Sequence, residues 1–149
     1  MQGTISYRPG PVIAVDFDGT IAFDSWPSLT NATPNKALIK WLDHMYTKHD
    51  AEIIIWSCRE NYGGKKFEDR PYKNEAIQFC NRNGMQFPFS FNKNVDEQDG
   101  EYEQKLVCRK VMADLYIDDH GFPFKFSSNR FIRWVQWKLV LLFLKISFG

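Results

Sequence analysis

The sequence predicts an α/β domain built on a parallel sheet, and two observations carry that prediction. Short β-branched runs alternate with segments whose apolar residues recur at helical spacing, which implies right-handed crossovers and helices on both faces, a three-layer arrangement. Three of the four apolar runs also end in polar chemistry: DFDGT after the first, SCRE after the second and DDHG after the fourth. In such sheets ligands bind at the carboxyl ends of the strands.

Each element has its own signal. Pro9, Gly10 and Pro11 break the chain, and Val12 to Phe17 follow as a strand buried on both faces. Residues 19 to 33 are rich in Ser, Thr, Asn and Pro and read as a loop. Thr33 and Pro34 supply a capping hydroxyl and a first-turn proline for an amphipathic helix over 34 to 48, with Leu38, Leu42 and Met45 on its apolar face. EIIIWS at 52 to 57 is the second strand, Gly63 and Gly64 mark a loop, and Pro71 opens a helix to about Asn83. Gln86 to Phe91 is a third strand weakened by Pro88, and Leu115 to Ile117 is the fourth. The polar stretch from Asn92 to Gln104 matches no element.

Length and composition bound the function. A chain of 149 residues is long enough for one domain, 1–149, with a real core, and 44% hydrophobic residues exclude a disordered chain. The net charge of +1 gives no overall pull towards nucleic acid or a membrane, so a stable complex with either is not expected. Cys58, Cys80 and Cys108 lack the close spacing of a zinc site and read as reduced thiols in a cytoplasmic protein. The N-terminus has no secretory layout, so the N-x-T triplet at Asn31 reads as loop sequence.

The strand ends set the chemistry. Asp16, Asp18, Asp118 and Asp119 gathered at one sheet edge would repel each other unless a cation lay among them, and magnesium suits an all-oxygen set. Ser57, Lys110 and Gly19 suit an anion: a hydroxyl, a compact positive charge and a close backbone approach. Together these describe phosphoryl transfer, in which Asp16 attacks phosphorus and Asp18 serves as acid and then base. The D-x-D spacing suits those roles, because residues i and i+2 of an extended segment share one side.

The four motifs, in this order over Val12 to about His120, resemble the haloacid dehalogenase (HAD) superfamily, and the wording VDFDGTI, IIIWSCRE and RKVMADLYIDDHG is similar to its small, capless hydrolases of bacteria and phages. The resemblance implies a Rossmann-like core and a Mg²⁺-dependent phosphatase. It makes Asp16 the nucleophile and Asp18 the acid/base, with Thr20 orienting the loop, Ser57 binding phosphate and Lys110 neutralising the phosphoryl group. Asp118 and Asp119 then complete the magnesium shell with the Asp16 carboxylate and the Asp18 carbonyl. Lys110 precedes Asp118 by only eight positions, a compact spacing the capless relatives share, and Lys105 is the weaker alternative. Only 13 residues, Ala22 to Pro34, follow the first motif before the first helix, room for a flap carrying Trp26 but not for a cap domain.

Bland readings stand beside these. Asp-Gly is a common turn, and Asp118-Asp119 would also cap a helix. Arg59 is either a second phosphate contact or a surface partner of Glu60. The expected substrate is a phosphorylated small molecule or a nucleotide-like phosphate. The rivals are a nucleotide or polynucleotide 3′-phosphatase, a phosphotransferase, and a protein that binds a phospho-ligand without turnover.

The apolar C-terminal segment, 131 to 148, is interrupted by Arg133, Gln136, Lys138 and Lys145, and its unbroken core LVLLFL falls far short of the roughly 18 residues that span a bilayer. It reads first as a helix or strand packed on the sheet, second as the interface of a homo-oligomer, and last as a membrane-surface attachment.

Overall fold

The computed structural model of the protein describes residues 8–59, 61–62, 70–92, 111–120 and 129–148. Its centre is a four-stranded sheet of β1 (Val12–Val15), β4 (Glu52–Ile55), β7 (Ser90–Phe91) and β8 (Leu115–Ile117), ordered β7-β4-β1-β8. All three pairings are parallel. The first strand therefore lies inside the sheet, with the second and third stepping away on one side and the fourth on the other. Two short antiparallel ribbons flank the sheet, β2 (Ala22–Phe23) with β3 (Thr33–Pro34), and β5 (Asn61–Tyr62) with β6 (Arg70–Pro71).

Side-chain alternation divides the core. Ile13, Val15, Ile53, Ile55 and Ile117 face one cluster, which also takes buried residues from α1 (Lys36–His49), α2 (Tyr72–Arg82) and α3 (Arg130–Phe148). Ala14 and Ile54 face the other way, against Val111, with Val12, Trp56 and Ala113 around them. All three helices thus pack on one face among the described residues, where the sequence predicts helices on both faces; the other face carries Val111 and Ala113 but no described helix. For α1 and α2 this follows from handedness, since right-handed crossovers between strands that step in one direction lie on one side.

Three expectations about boundaries change. The loop after the first motif contains the β2–β3 ribbon, and this pairing takes up Thr33 and Pro34, the expected start of the first helix. The N-cap of α1 is instead Asn35, whose Oδ1 accepts from the Leu38 N–H at 3.2 Å. The third strand shrinks to Ser90–Phe91, because Pro88 has no N–H to give a ladder.

Both ends of these short strands are closed by side chains acting as extra rungs. At the amino end, Val12 N–H donates to Asp114 Oδ2 and Asp114 N–H donates to Val12 O, each at 2.8 Å. At the carboxyl end, Ser57 N–H donates to Asn92 Oδ1 and Asn92 Nδ2 donates to Ser57 O, each at 2.7 Å.

Candidate active site at the strand ends

Strand pairing builds the site. Val15 lies opposite both Ile55 and Ile117, so the next residue of β1, Asp16, leaves the sheet beside Asp118. The Asp16 N–H continues the ladder by donating to Ile117 O at 2.8 Å. Val15 and Phe17 both join the helix-side core, Phe17 fully buried and edge-on to Phe79, which leaves Asp16 and Asp18 on the other side.

Asp16 is electrostatically uncomfortable. Burial, and after it the charge of Asp118, pushes its carboxyl up to about 8; Asp119 and Asp18 add to the rise, and a backbone hydrogen bond from Phe17 opposes it. The hydroxyl of Thr20, itself buried, stands 3.4 Å from Asp16 Oδ2 and accepts from the Asp119 N–H at 3.0 Å, so it ties the first and fourth motifs together. Asp119 is also raised, first by burial, with His120 opposing through a 2.6 Å contact between Nδ1 and Asp119 Oδ1. His120 N–H donates to Asp118 Oδ1 at 2.8 Å, and one ligand atom each from Asp118, Asp119 and His120 lie within 4.8 Å of one another.

Asp18 has a different setting. Arg59 Nε donates to both of its oxygens, at 3.1 and 2.8 Å, and Nη2 to Oδ1 at 2.8 Å; the Ser25 hydroxyl adds a contact of 2.5 Å. Nη2 also reaches Ser25 O at 2.6 Å. The Arg59 side chain is 0% exposed, its guanidinium carbon 5.3, 5.2 and 5.9 Å from the rings of Phe17, Trp26 and Tyr72. Arg59 is therefore not a surface residue facing Glu60, which lies outside the described residues. Among the described residues its Nη1, also buried, has no hydrogen-bond partner.

The remaining predicted residues are placed as follows. Ser57 follows β4, with its hydroxyl accepting from the Arg59 N–H at 3.1 Å. Gly19 turns with φ +83°, and a Cβ there would lie 2.1 Å from Asp119 Oδ2, so both conformation and space require glycine. Its N–H donates to Ala22 O at 2.8 Å, inside the turn. Gly19→Ala should lower the melting temperature by about 5 °C through strain and displacement of Asp119; an unchanged melting curve would contradict that packing. Lys110 and its alternative Lys105 lie outside the described residues.

Two supporting residues escaped the sequence reading. Asn35 joins α1 to the motif loop, its Nδ2 donating to Thr20 O at 3.0 Å and its N–H to Ile21 O at 2.7 Å. Asn92, at φ +56°, holds Ser57 through the carboxyl-end rung. An Asn just before a helical period is a capping signal that was there to read; nothing local to Asn92 announces its partner.

The donor set suits a hard cation. Asp118 and Asp119 offer carboxylate oxygens grouped with the His120 ring, while the buried Asp16 carboxyl stands outside that group and meets, among the described residues, like charges, a backbone hydrogen bond from Phe17 and one long hydroxyl contact. Comparison with family models, curated proteins and solved structures gave no match.

Proposed function

We propose that this chain is a Mg²⁺-dependent phosphomonoester hydrolase of the haloacid dehalogenase type, with a Rossmann-like core, acting on a phosphorylated small molecule or nucleotide-like phosphate. One observation carries the reading: the parallel pairing of β1 with β8 sets Asp16 beside Asp118 where the strand order reverses direction, the place where such sheets bind ligands.

Asp16 attacks phosphorus, forming a carboxylate O–P bond as the ester O–P bond breaks. Asp18 gives its proton to the departing oxygen. It then takes one from the water that attacks the aspartyl-phosphate, freeing phosphate and Asp16. Magnesium held by Asp16, Asp118, Asp119 and the Asp18 carbonyl would supply positive charge that keeps Asp16 ionised and offsets charge on the phosphoryl oxygens. Thr20, Ser57 and Lys110 orient and neutralise the phosphate, while Gly19, expected to contact it through its N–H, instead supplies the turn of the motif loop. Trp26, 62% exposed and 5.8 Å from the Tyr72 ring, offers a face for a base or sugar beside the site.

A second reading, a phospho-ligand-binding protein without turnover, draws support from the Arg59 clamp, because a general acid must reach the leaving oxygen and Asp18 is held elsewhere. One experiment separates the two. Phosphate release from p-nitrophenyl phosphate, sugar phosphates, nucleotides and 3′-phosphorylated oligonucleotides should require magnesium, stop with EDTA and recover poorly with calcium, whose longer bonds misplace Asp16. Magnesium-dependent ligand binding with no release of phosphate from any of them would favour the second reading.

A further inference from the structure

The largest feature that the carboxylate site leaves unused is the outer side of α3. Trp137, Leu141 and Leu144 bury one face of this helix in the core, and Arg133 anchors its first half, with the guanidinium 4.5 Å from the Phe23 ring and 3.8 Å from Asp24. The opposite side is apolar and open to solvent. Phe131 is 72% exposed, Phe143 63% and Ile146 77%, with Ile132, Leu139 and Leu142 also exposed. At 3.6 residues per turn these six share roughly a third of the helix circumference. Exposed Lys138 and Lys145 run along one edge of that arc, Lys138 Nζ lying 5.5 Å from the Trp134 ring.

Charge decides what fits there. Residues 130–148 carry four basic residues and no acid, while the rest of the chain, with 15 basic and 18 acidic residues, carries −3. In a two-fold pair the same patch meets itself, so two copies would bring basic edges together with no acid on either helix. An anionic lipid surface complements both parts of the face: aromatic and aliphatic side chains enter the headgroup boundary, and lysines at the rim reach lipid phosphates. No helix among the described residues is long and apolar enough to cross a membrane, and one lying in the interface plane has no need to be.

We propose that the exposed face of α3 docks this protein on the surface of an anionic bilayer. This departs from the expectation that the membrane plays no part. Read as a sequence, the polar positions form no single face, because the helix has two apolar sides: one packs inward, and the other carries the lysine rim.

The test is vesicle co-sedimentation of the full chain without substrate, using phosphatidylcholine alone and phosphatidylcholine with about a third phosphatidylglycerol. Partitioning onto the anionic vesicles should be at least about tenfold stronger and should weaken at high salt. Phe143→Glu and Ile146→Glu, at exposed positions, should abolish binding without lowering the melting temperature. Lys138→Gln with Lys145→Gln, which leaves every apolar contact in place, should weaken binding several-fold on anionic vesicles only. A parent protein that stays in the supernatant with anionic vesicles overturns the proposal. So does a stable dimer in light scattering that Phe143→Glu splits, which would make a second copy the occupant.

Discussion

At pH 8 without divalent metal, Asp16→Asn should melt about 5 °C or more above the parent protein, and with magnesium present its phosphate release should fall by about 10³-fold or more. The two effects have one origin. Burial and Asp118 raise the Asp16 carboxyl from an ordinary value of 3.8 to about 8, so between those limits the folded protein holds a proton that the unfolded chain releases. Stability then falls as pH rises through that window: this contribution is fully present below pH 4 and lost by about pH 8. A shift of this size is worth a few kcal/mol, and asparagine, which never ionises, escapes the loss. Magnesium should raise the parent's melting temperature by mass action and do little for the variant. The check is a series of melting curves from pH 5 to 8 in EDTA and in magnesium, with turnover measured alongside. A parent equally stable across that range in EDTA would remove the electrostatic argument, and near-normal turnover by Asp16→Asn would remove the nucleophile.

Arg59→Met should be the most destabilising single change near the site, costing about 3–5 kcal/mol, or about 10 °C or more in melting temperature. Methionine keeps much of the apolar volume between Phe17, Trp26 and Tyr72 but leaves Asp18 without its charge partner. The cost should therefore be that of a stranded carboxylate rather than of a cavity. Adding Asp18→Asn to Arg59→Met should recover more than half of the loss, whereas Asp18→Asn alone should destabilise by leaving the guanidinium buried and unpaired. If the double variant is no better than Arg59→Met, packing rather than the ion pair is what Arg59 supplies.

The sequence showed most where local pattern and packing agree. The runs VIAV and EIII are strands because their side chains fill both faces of a sheet, LYI joins the edge with Ile117 buried and Tyr116 exposed, and Leu38, Leu42 and Met45 lie buried on the helix that their spacing announced. It showed least where a distant partner decides. Thr33 and Pro34 have good helix-start chemistry, yet Ala22 and Phe23, which no rule of spacing connects to them, draw them into a ribbon. Glu60 adjoins Arg59, but the partner Arg59 takes is Asp18, 41 positions away. The aspartates themselves were legible because strand ends in a parallel sheet converge by construction. Their electrostatic state was not, since burial and the nearness of Asp118 exist only in three dimensions.

The two polar rungs at Asp114 and Asn92 bear on how the chain finds this arrangement. Strands of two to four residues make few ladder bonds, so slippage by one position competes easily during folding. A slip of one residue would carry Asp16 about 3.3 Å along the sheet and turn its side chain to the wrong face. Each rung is lost in the slipped states, because a side chain reaches only one backbone partner. The rung at Asp114 pins β8 to β1, and the rung at Asn92 pins the third strand to the second. Alignment of the carboxylates thus depends on two residues that chemistry would never select, and Asp114→Ala or Asn92→Ala should appear first as slower, more heterogeneous refolding.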